Sequence, residues 1–422
     1  MRMTIVIMTV GTEGDIRPHI ALGAGLAAKG HAVRLAADPG FAPAIRQAGL
    51  EFAPLAADFA GMMRAHPQAL DGRSGAAAAR VVVDETRRMA QFWPEQGLAA
   101  ARNARLFIGS GNVTLLAASL AERAGVPFVQ TQLQPLDASR ALPPVWFRPH
   151  PLPGAANLLL HAALRQTAWV LTRSIANSVR QSLGLSPYGL RGPWHNPHAT
   201  GGRILYGFSQ HVVPRQPEWP ARIAMPGYFV TLPTAEYQPP SDLATFLKAG
   251  EKPVYIGFGS MLSAEAERLA ALVRDAARIS GLRVLVSSGW SNLRRFLDNT
   301  PDLHVIDTIP HEWLFRQVRL AVHHCGAGTS AAAVRAGIPT IPVPFVGDQF
   351  FWGWQLGRIG VATRTQDMRT LTGQHLAEAM QQATHPTMTD AARTLGQKVR
   401  AENGVARAIS QMKDWGLIEV SS

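Results

Sequence analysis

Cysteine is almost absent from this 422-residue chain, with Cys325 alone. An internal disulfide framework is excluded, and a reducing compartment is the expected setting. Charge is sparse, at 17% against 47% apolar residues, a composition that excludes intrinsic disorder. Long apolar runs are missing as well. LLLHAALRQTAWVLT (158–172) is broken by His161, Arg165 and Gln166, and MRMTIVIMTVGTEGD turns to glycine and charge before a leader's apolar core is complete. A soluble, cytoplasmic protein is expected. No run of basic residues forms a nucleic-acid arm, because the formal net charge of +12 is spread as single arginines. Nucleic acid is therefore not an expected partner. The charge suits a phosphate-bearing ligand or peripheral contact with an anionic membrane surface.

The length exceeds what one ordinary core accommodates, so two domains are expected. TIVIMTV (4–10) reads as a strand, the turn GTEGD follows, and IRPHIALGAGLAAKG (16–30) has helical composition with Gly30 at its end. HAVRLAAD (31–38) completes a βαβ unit that opens a parallel sheet. ARLFIGS (104–110) and VPFVQTQ (126–132) are further strands around a helix at 114–125, and another helical stretch runs from about 155 to 183. The proline-rich MPGYFVTLPTAEYQPPSDL (225–243) reads as a linker. A second α/β series follows it, with strands in KPVYIGFGS (252–260), LRVLVSSGW (282–290), LHVIDTIP (303–310), RLAVHH (319–324) and TIPVPF (340–345). No close repeat relates the two series. Domains are set at 1–230 and 240–400, with 401–422 as a terminal helix packing back across them.

The most informative corner is VHHCGAGTSAAAVRAGIPTIPVPFVGDQ (322–349). GAG permits a tight turn with exposed backbone N–H groups, and a helix follows with Thr329 or Ser330 expected at its N-cap. Such a helix start cradles phosphate, and His324 at the strand end adds a donor or a charge. Two ligands fit this pattern. Gly326, Gly328 and Ala331 match G-x-G-x-x-A, with Asp348 twenty residues beyond Gly328 where a dinucleotide's ribose-binding acid belongs. Asp348 followed by Gln349 instead makes a pair suited to sugar hydroxyls. The bland alternative is close helix–strand packing. Three more strand-end corners tip the balance toward one nucleotide site on one sheet edge: GFGS with Ser260, SSGW with Trp290, and IPHEWLF with His311.

IPHEWLF, HHCGAGTSAAAVRAGIPTIPVPFVGDQFFWG and VGTEGDIRPHIALGAGLAAKGH closely resemble the family 1 UDP-glycosyltransferases of the GT-B type, nearest to the sterol glucosyltransferase-like and bacterial natural-product branch. The resemblance implies an α/β fold of two Rossmann-like domains whose parallel sheets face across a cleft. The C-terminal domain would then bind the nucleotide-sugar donor, and the N-terminal domain a lipophilic, hydroxylated acceptor. It places the diphosphate on His324, Gly326, Gly328 and Thr329, the sugar on Asp348 and Gln349, and Ser260 near the phosphates. His311 stands where plant relatives have a Gln, and Thr308 where they have a base-stacking Trp, so Trp290 is the substitute for stacking. Cys325 matches the plant-type H-C-G motif, where many bacterial relatives have Gly.

The resemblance makes Asp15, in the GTEGD loop, the base that takes the acceptor's proton, with His19 as the alternative. The bland alternatives are that Asp15 caps the first helix and that His19 is a helix-surface or packed histidine. UDP-sugar, with UDP-glucose the leading donor, serves as co-substrate, and no cofactor is implied. The absence of any D-x-D fits a metal-independent, inverting displacement. Closure about 225–243 would exclude water. Phe92, Trp93, Trp146 and Phe147 are candidates for an apolar acceptor pocket, although buried aromatics are more often core. Sterol, hopanoid, carotenoid, hydroxy-fatty acid, polyketide and flavonoid acceptors all suit it. Two rival functions stand beside this reading: an NAD(P)-dependent oxidoreductase using 326–348, and a non-catalytic nucleotide-sugar or lipid-binding protein.

Overall fold

A computed structural model describes residues 2–66, 75–150, 152–194, 196, 202–230, 237–258, 266–288 and 293–419. The chain divides into two compact units, one of Met1–Pro144, His150–Leu232 and Glu402–Ser422, the other of Val145–Pro149 and Pro233–Ala401.

In the first unit, β1 (Thr4–Met8), α1 (Glu13–Ala28), β2 (Ala32–Ala37), α2 (Ala42–Gln47) and β3 (Glu51–Pro54) come first. The helices α3 (Phe59–Ala65), α4 (Gly75–Ala90) and α5 (Trp93–Ala100) lead to β4 (Ala104–Gly109), α6 (Thr114–Ala124) and β5 (Phe128–Gln132). The long α7 (Gly154–Ser182), β6 (Arg203–Tyr206) and β7 (Ile223–Ala224) complete the series. Every strand pairing is parallel, in the order β3-β2-β1-β4-β5-β6-β7.

The period-2 alternation of β1 distributes its side chains to two cores. Ile5 and Ile7 join Leu22, Leu35 and Ile108 on one face, and Val6 and Met8 join Trp93, Phe107 and Ile175 on the other. Both faces being covered explains why the strands read as continuous apolar runs. Each fully buried Ile or Leu contributes roughly 1.5–3 kcal/mol relative to exposure.

The second unit runs α8 (Ser241–Lys248), β8 (Val254–Gly257), α9 (Ala266–Ser280), β9 (Val284–Ser287), β10 (Leu303–Ile306), α10 (His311–Leu314), β11 (Leu320–His323), α11 (Ala327–Ala336), β12 (Thr340–Pro342), α12 (Gln349–Arg358), α13 (Gly373–Ala383) and α14 (Pro386–Arg400). Its five strands are parallel in the order β10-β9-β8-β11-β12. Val254 and Ile256 pack on α9 and α13 residues such as Val273 and Met380, while Tyr255 turns to the opposite core with Phe246 and Phe315.

A last helix, α15 (Gly404–Asp414), lies in the first unit, where Ile409 and Met412 join the α1 face of the sheet. Its approach to α1 is close enough that a Cβ on Gly25 would meet Val405 Cγ1 at 2.3 Å. No helix among the described residues is long and apolar enough to cross a membrane.

Candidate functional site

In the second unit the strand order reverses between β8 and β11, the kind of switch point at which open α/β sheets bind ligands, and the turn leaving β11 lies there. The turn after β11 departs from the expected capping. Gly326 is the N-cap of α11, with φ −59° and ψ 147° and no side-chain cap, so Thr329 and Ser330 fall inside the first turn. The leading N–H groups of this ten-residue helix thus have no side-chain acceptor at the cap, which leaves a positive helix end at the switch point.

The two histidines before it divide the work. His323 is fully buried, and its Nδ1 accepts from Cys325 N at 3.0 Å, so its Nε2 carries the proton and donates to Thr340 Oγ1 at 3.3 Å. Cys325 therefore sits in the left-handed region, at φ 62°, a conformation that costs a non-glycine residue about 1–3 kcal/mol. Its buried thiol is pushed well above the ordinary range by burial, so thiolate chemistry is absent. His324 turns the other way. Its ring lies over Gly326, where a Cβ would meet Nε2 at 2.7 Å, and its Nδ1 is sealed from solvent without a hydrogen-bond partner. Burial, with His311 nearby, pushes its pKa down to about 4, so the ring is neutral at pH 7.

Asp348 is the N-cap residue of α12, and its Oδ2 accepts from the Trp352 indole N–H at 3.0 Å. Gln349 spends its Oε1 on the backbone N–H groups of Phe345 (2.8 Å) and Val346 (3.2 Å). What its amide can offer a ligand is the NH2 end. His311 opens α10, stacked on Phe315 with centroids 4.7 Å apart and 3.4 Å from the Tyr255 hydroxyl. Tyr255 is itself pushed up to about 12 by burial and remains a phenol. Ser260 and Trp290 lie outside the described residues.

At the first unit's sheet edge, α1 begins one turn earlier than its composition suggests and takes Asp15 into its first turn. The Asp15 carboxylate folds back to accept from Thr12 N (2.8 Å) and Thr12 Oγ1 (3.2 Å). That fold-back needs Gly11, at φ 139°, because a Cβ there would lie 2.2 Å from Asp15 Oδ2. His19 is not on the helix surface. It is fully buried, with Nδ1 2.6 Å from the Asp15 carbonyl oxygen and Nε2 2.8 Å from Thr131 Oγ1. Nδ1 must therefore donate, and Nε2 accepts from the threonine hydroxyl. Burial lowers its pKa to about 4.

The aromatic candidates separate. Trp93 belongs to the core beside Met8 and Phe107, its indole N–H donating to Ala56 O at 2.8 Å. Its neighbour Phe92 is exposed. Trp146 and Phe147 are exposed on a segment that belongs to the second unit, held by Arg148, which stacks on Phe350 (4.7 Å) and pairs with Asp367 (3.6 Å).

Several residues at the site were not singled out from the sequence. Trp352 was findable, being one helical turn from Asp348. Thr131 was not, since 112 positions separate it from His19. The Asp307 carboxylate, held by Arg294 (3.2 and 3.3 Å) and Ser288 (3.1 Å), joins the ends of β9 and β10. Arg294 and Ser288 hold its pKa below the usual carboxylate range.

Two parallel-sheet α/β units, the second with a glycine-cornered helix start at its switch point, make up the fold. Residues 5–142 match the glycosyltransferase family 28 N-terminal domain, and residues 288–411 the erythromycin biosynthesis protein CIII-like C-terminal domain. Sterol 3-beta-glucosyltransferases of Aspergillus terreus (32% identity) and Emericella nidulans (33%) each align over 96% of this chain. The chain spans only 29% of the length of those two relatives. Among solved structures, the glycotransferase of kitacinnamycin (TM-score 0.71, 19% identity, 98% of this chain and 99% of that one) shares the fold. So does the calicheamicin glycosyltransferase (TM-score 0.69, 17% identity, 98% of each chain). The chain thus shares the GT-B fold of these solved glycosyltransferases, and two of its stretches are similar to glycosyltransferase domain families.

Proposed function

We propose that this chain transfers a hexose, glucose first, from a UDP-sugar to a hydroxyl of a lipophilic small molecule, with inversion at the anomeric carbon and without a metal ion. The observation that carries this reading is the uncapped start of α11 under the His324 ring, whose Nε2 lies over Gly326, on the same sheet edge as Asp348 and Gln349. A helix end and a ring nitrogen suit a diphosphate, and a carboxylate with an amide NH2 suits sugar hydroxyls. The sterol 3-beta-glucosyltransferase names of its relatives favour a fused-ring alcohol as acceptor.

The dinucleotide alternative loses its main support. β11 is the fourth strand of its sheet in chain order, whereas a dinucleotide fingerprint follows the first. Asp348 also sits at a helix start against Trp352, six residues beyond the end of β12, and not at a strand end.

In the transfer, the acceptor oxygen gives its proton to a carboxylate as it attacks the anomeric carbon. The bond from that carbon to the UDP oxygen breaks with its electron pair, and the charge arriving on the diphosphate is met by the α11 N–H groups and His324. Of the two candidate bases, Asp15 is favoured, since both ring nitrogens of His19 are committed inside the protein.

Thermal shift with UDP, UDP-glucose and NAD(H), followed by a donor-by-acceptor screen read by mass spectrometry, tests the reading. Stabilisation by the uridine nucleotides and a hexose mass increment on a sterol-like alcohol are expected. Stabilisation by NAD(H) alone would overturn the assignment.

A further inference from the structure

Between Asp137 and Glu218 the chain contains no Asp or Glu over 80 residues (138–217), yet it carries eight arginines there. This segment contains α7, whose 29 residues hold no carboxylate. Only Asn157, His161, Trp169, Ile175, Val179 and Arg180 of the helix are buried. Ile175 and Val179 enter the core, whereas the first half is tethered by polar contacts. Asn157 Nδ2 donates to Ser139 O (3.0 Å) and Leu142 O (2.6 Å), and the Trp169 indole to Gly189 O (3.1 Å).

The outward stripe of that half is apolar. On a 3.6-residue turn Ala156, Leu159, Ala163 and Val170 fall on the side opposite the buried residues. Leu159 is 72% exposed and Val170 60%. Leu190, 67% exposed, extends the patch, because Gln166 Nε2 donates to its carbonyl at 2.8 Å. Arg173 on the helix and Arg191 next to Leu190 flank it, whereas Arg165, between buried His161 and Trp169, lies over the Trp194 ring (5.4 Å) on the other side. Most carboxylates on packed elements are paired, with the exposed Glu95 of α5 outside these pairs. Asp84 of α4 meets Arg87 (2.9 Å), Glu85 lies against Arg88, and Glu122 of α6 meets Arg180 (2.9 Å).

We propose that the outward face of α7, with Leu190 and Arg191, docks the first unit on an anionic lipid bilayer, in whose interface the proposed acceptor dissolves. The inference rests on the lipophilic-acceptor reading for its purpose and on this face for its mechanism. A convex helical stripe suits a planar surface better than a ligand. Flanking arginines on a helix that itself carries no carboxylate disfavour a second copy of the same face and attract lipid phosphate. Apolar side chains of this exposure enter the acyl boundary while arginines reach the headgroups.

Flotation of the full chain with phosphatidylcholine vesicles, with and without phosphatidylglycerol, tests it. Binding only to the vesicles containing phosphatidylglycerol, weakened by salt, is expected. Arg173→Ser/Arg191→Ser should weaken it by about fivefold per arginine removed. Leu159→Glu/Val170→Glu should weaken it by at least about tenfold. Both variants should keep the wild-type melting curve and UDP-glucose affinity. Wild-type protein that stays unbound, or variants that float as it does, would overturn the proposal. So would a dimer that Leu159→Glu/Val170→Glu splits into monomers without changing flotation. Binding without hexose transfer to any acceptor would uphold the docking and sink the enzymatic reading instead.

Discussion

Asp15 and His19 share one turn of α1, and their surroundings decide between them. A base must present a lone pair to the acceptor hydroxyl. His19 has used both nitrogens, on the Asp15 carbonyl and on Thr131, whereas the Asp15 carboxylate, with about four lone-pair sites, accepts from several partners at once. Capping and catalysis can be separated at this residue. An asparagine in its place would still accept from Thr12 N–H, so Asp15→Asn should cost no more than about 1 kcal/mol of stability. It should lower kcat by roughly 10²–10⁴ with UDP-glucose affinity within about twofold. Unchanged turnover would leave Asp15 a cap and nothing more. A second residue-scale test concerns His324, neutral in the free protein because its pKa lies near 4. A diphosphate beside it favours the imidazolium, so donor binding takes up a proton. Isothermal titration with UDP-glucose should therefore show affinity rising as pH is lowered from about 7.5 toward 5. His324→Gln should flatten that rise.

At the scale of elements, the β11–α11 corner depends on backbone that glycine suits better than cysteine. Cys325→Gly removes left-handed strain but also a buried thiol, and it loosens the unfolded chain, so the contributions offset and stability should move by less than about 1 kcal/mol. Cys325→Val places a β-branched residue at φ 62° and should cost more than about 2 kcal/mol, read from denaturant midpoints. Equal losses in the two variants would mean that packing, and not backbone conformation, governs the position. The same corner shows what the sequence made legible. The apolar runs, the GAG turn and the order of strands were readable because each is a local pattern. The cap of α11 was misread because Thr329 and Ser330 are good caps by type, yet the chain begins the helix at side-chain-free Gly326. Short edge strands such as β3 and β7 carry too few residues for a period to show. Nothing in the FW pair tells which ring faces the core; the indole bond to Ala56 does.

Over the whole molecule, each unit without ligand keeps buried histidines neutral at pH 7: His19 in the first, His323 and His324 in the second. Their folded-state pKa values are lowered by burial, so the folded chain stays neutral at these positions while the unfolded chain takes up protons below pH 6.5. Stability conferred by each neutral ring is complete above the unfolded value and is lost as pH falls toward the folded one. For His19 the window runs from pH 6.5 down to about 4 and is worth about 3 kcal/mol. Below it both states are protonated and this contribution stops changing. His19→Gln keeps a polar side chain at the position without a group that titrates there. It should be less stable than wild type at pH 7, through weaker bonds to Thr131 and the Asp15 carbonyl, yet lose less on acidification. Denaturant midpoints measured every half unit from about pH 7.5 to 4 should converge for the two proteins as the window is crossed. Parallel curves would mean that His19 is hydrated or protonated in the folded chain, and the tautomer on which Asp15 was preferred as the base would have to be given up with it.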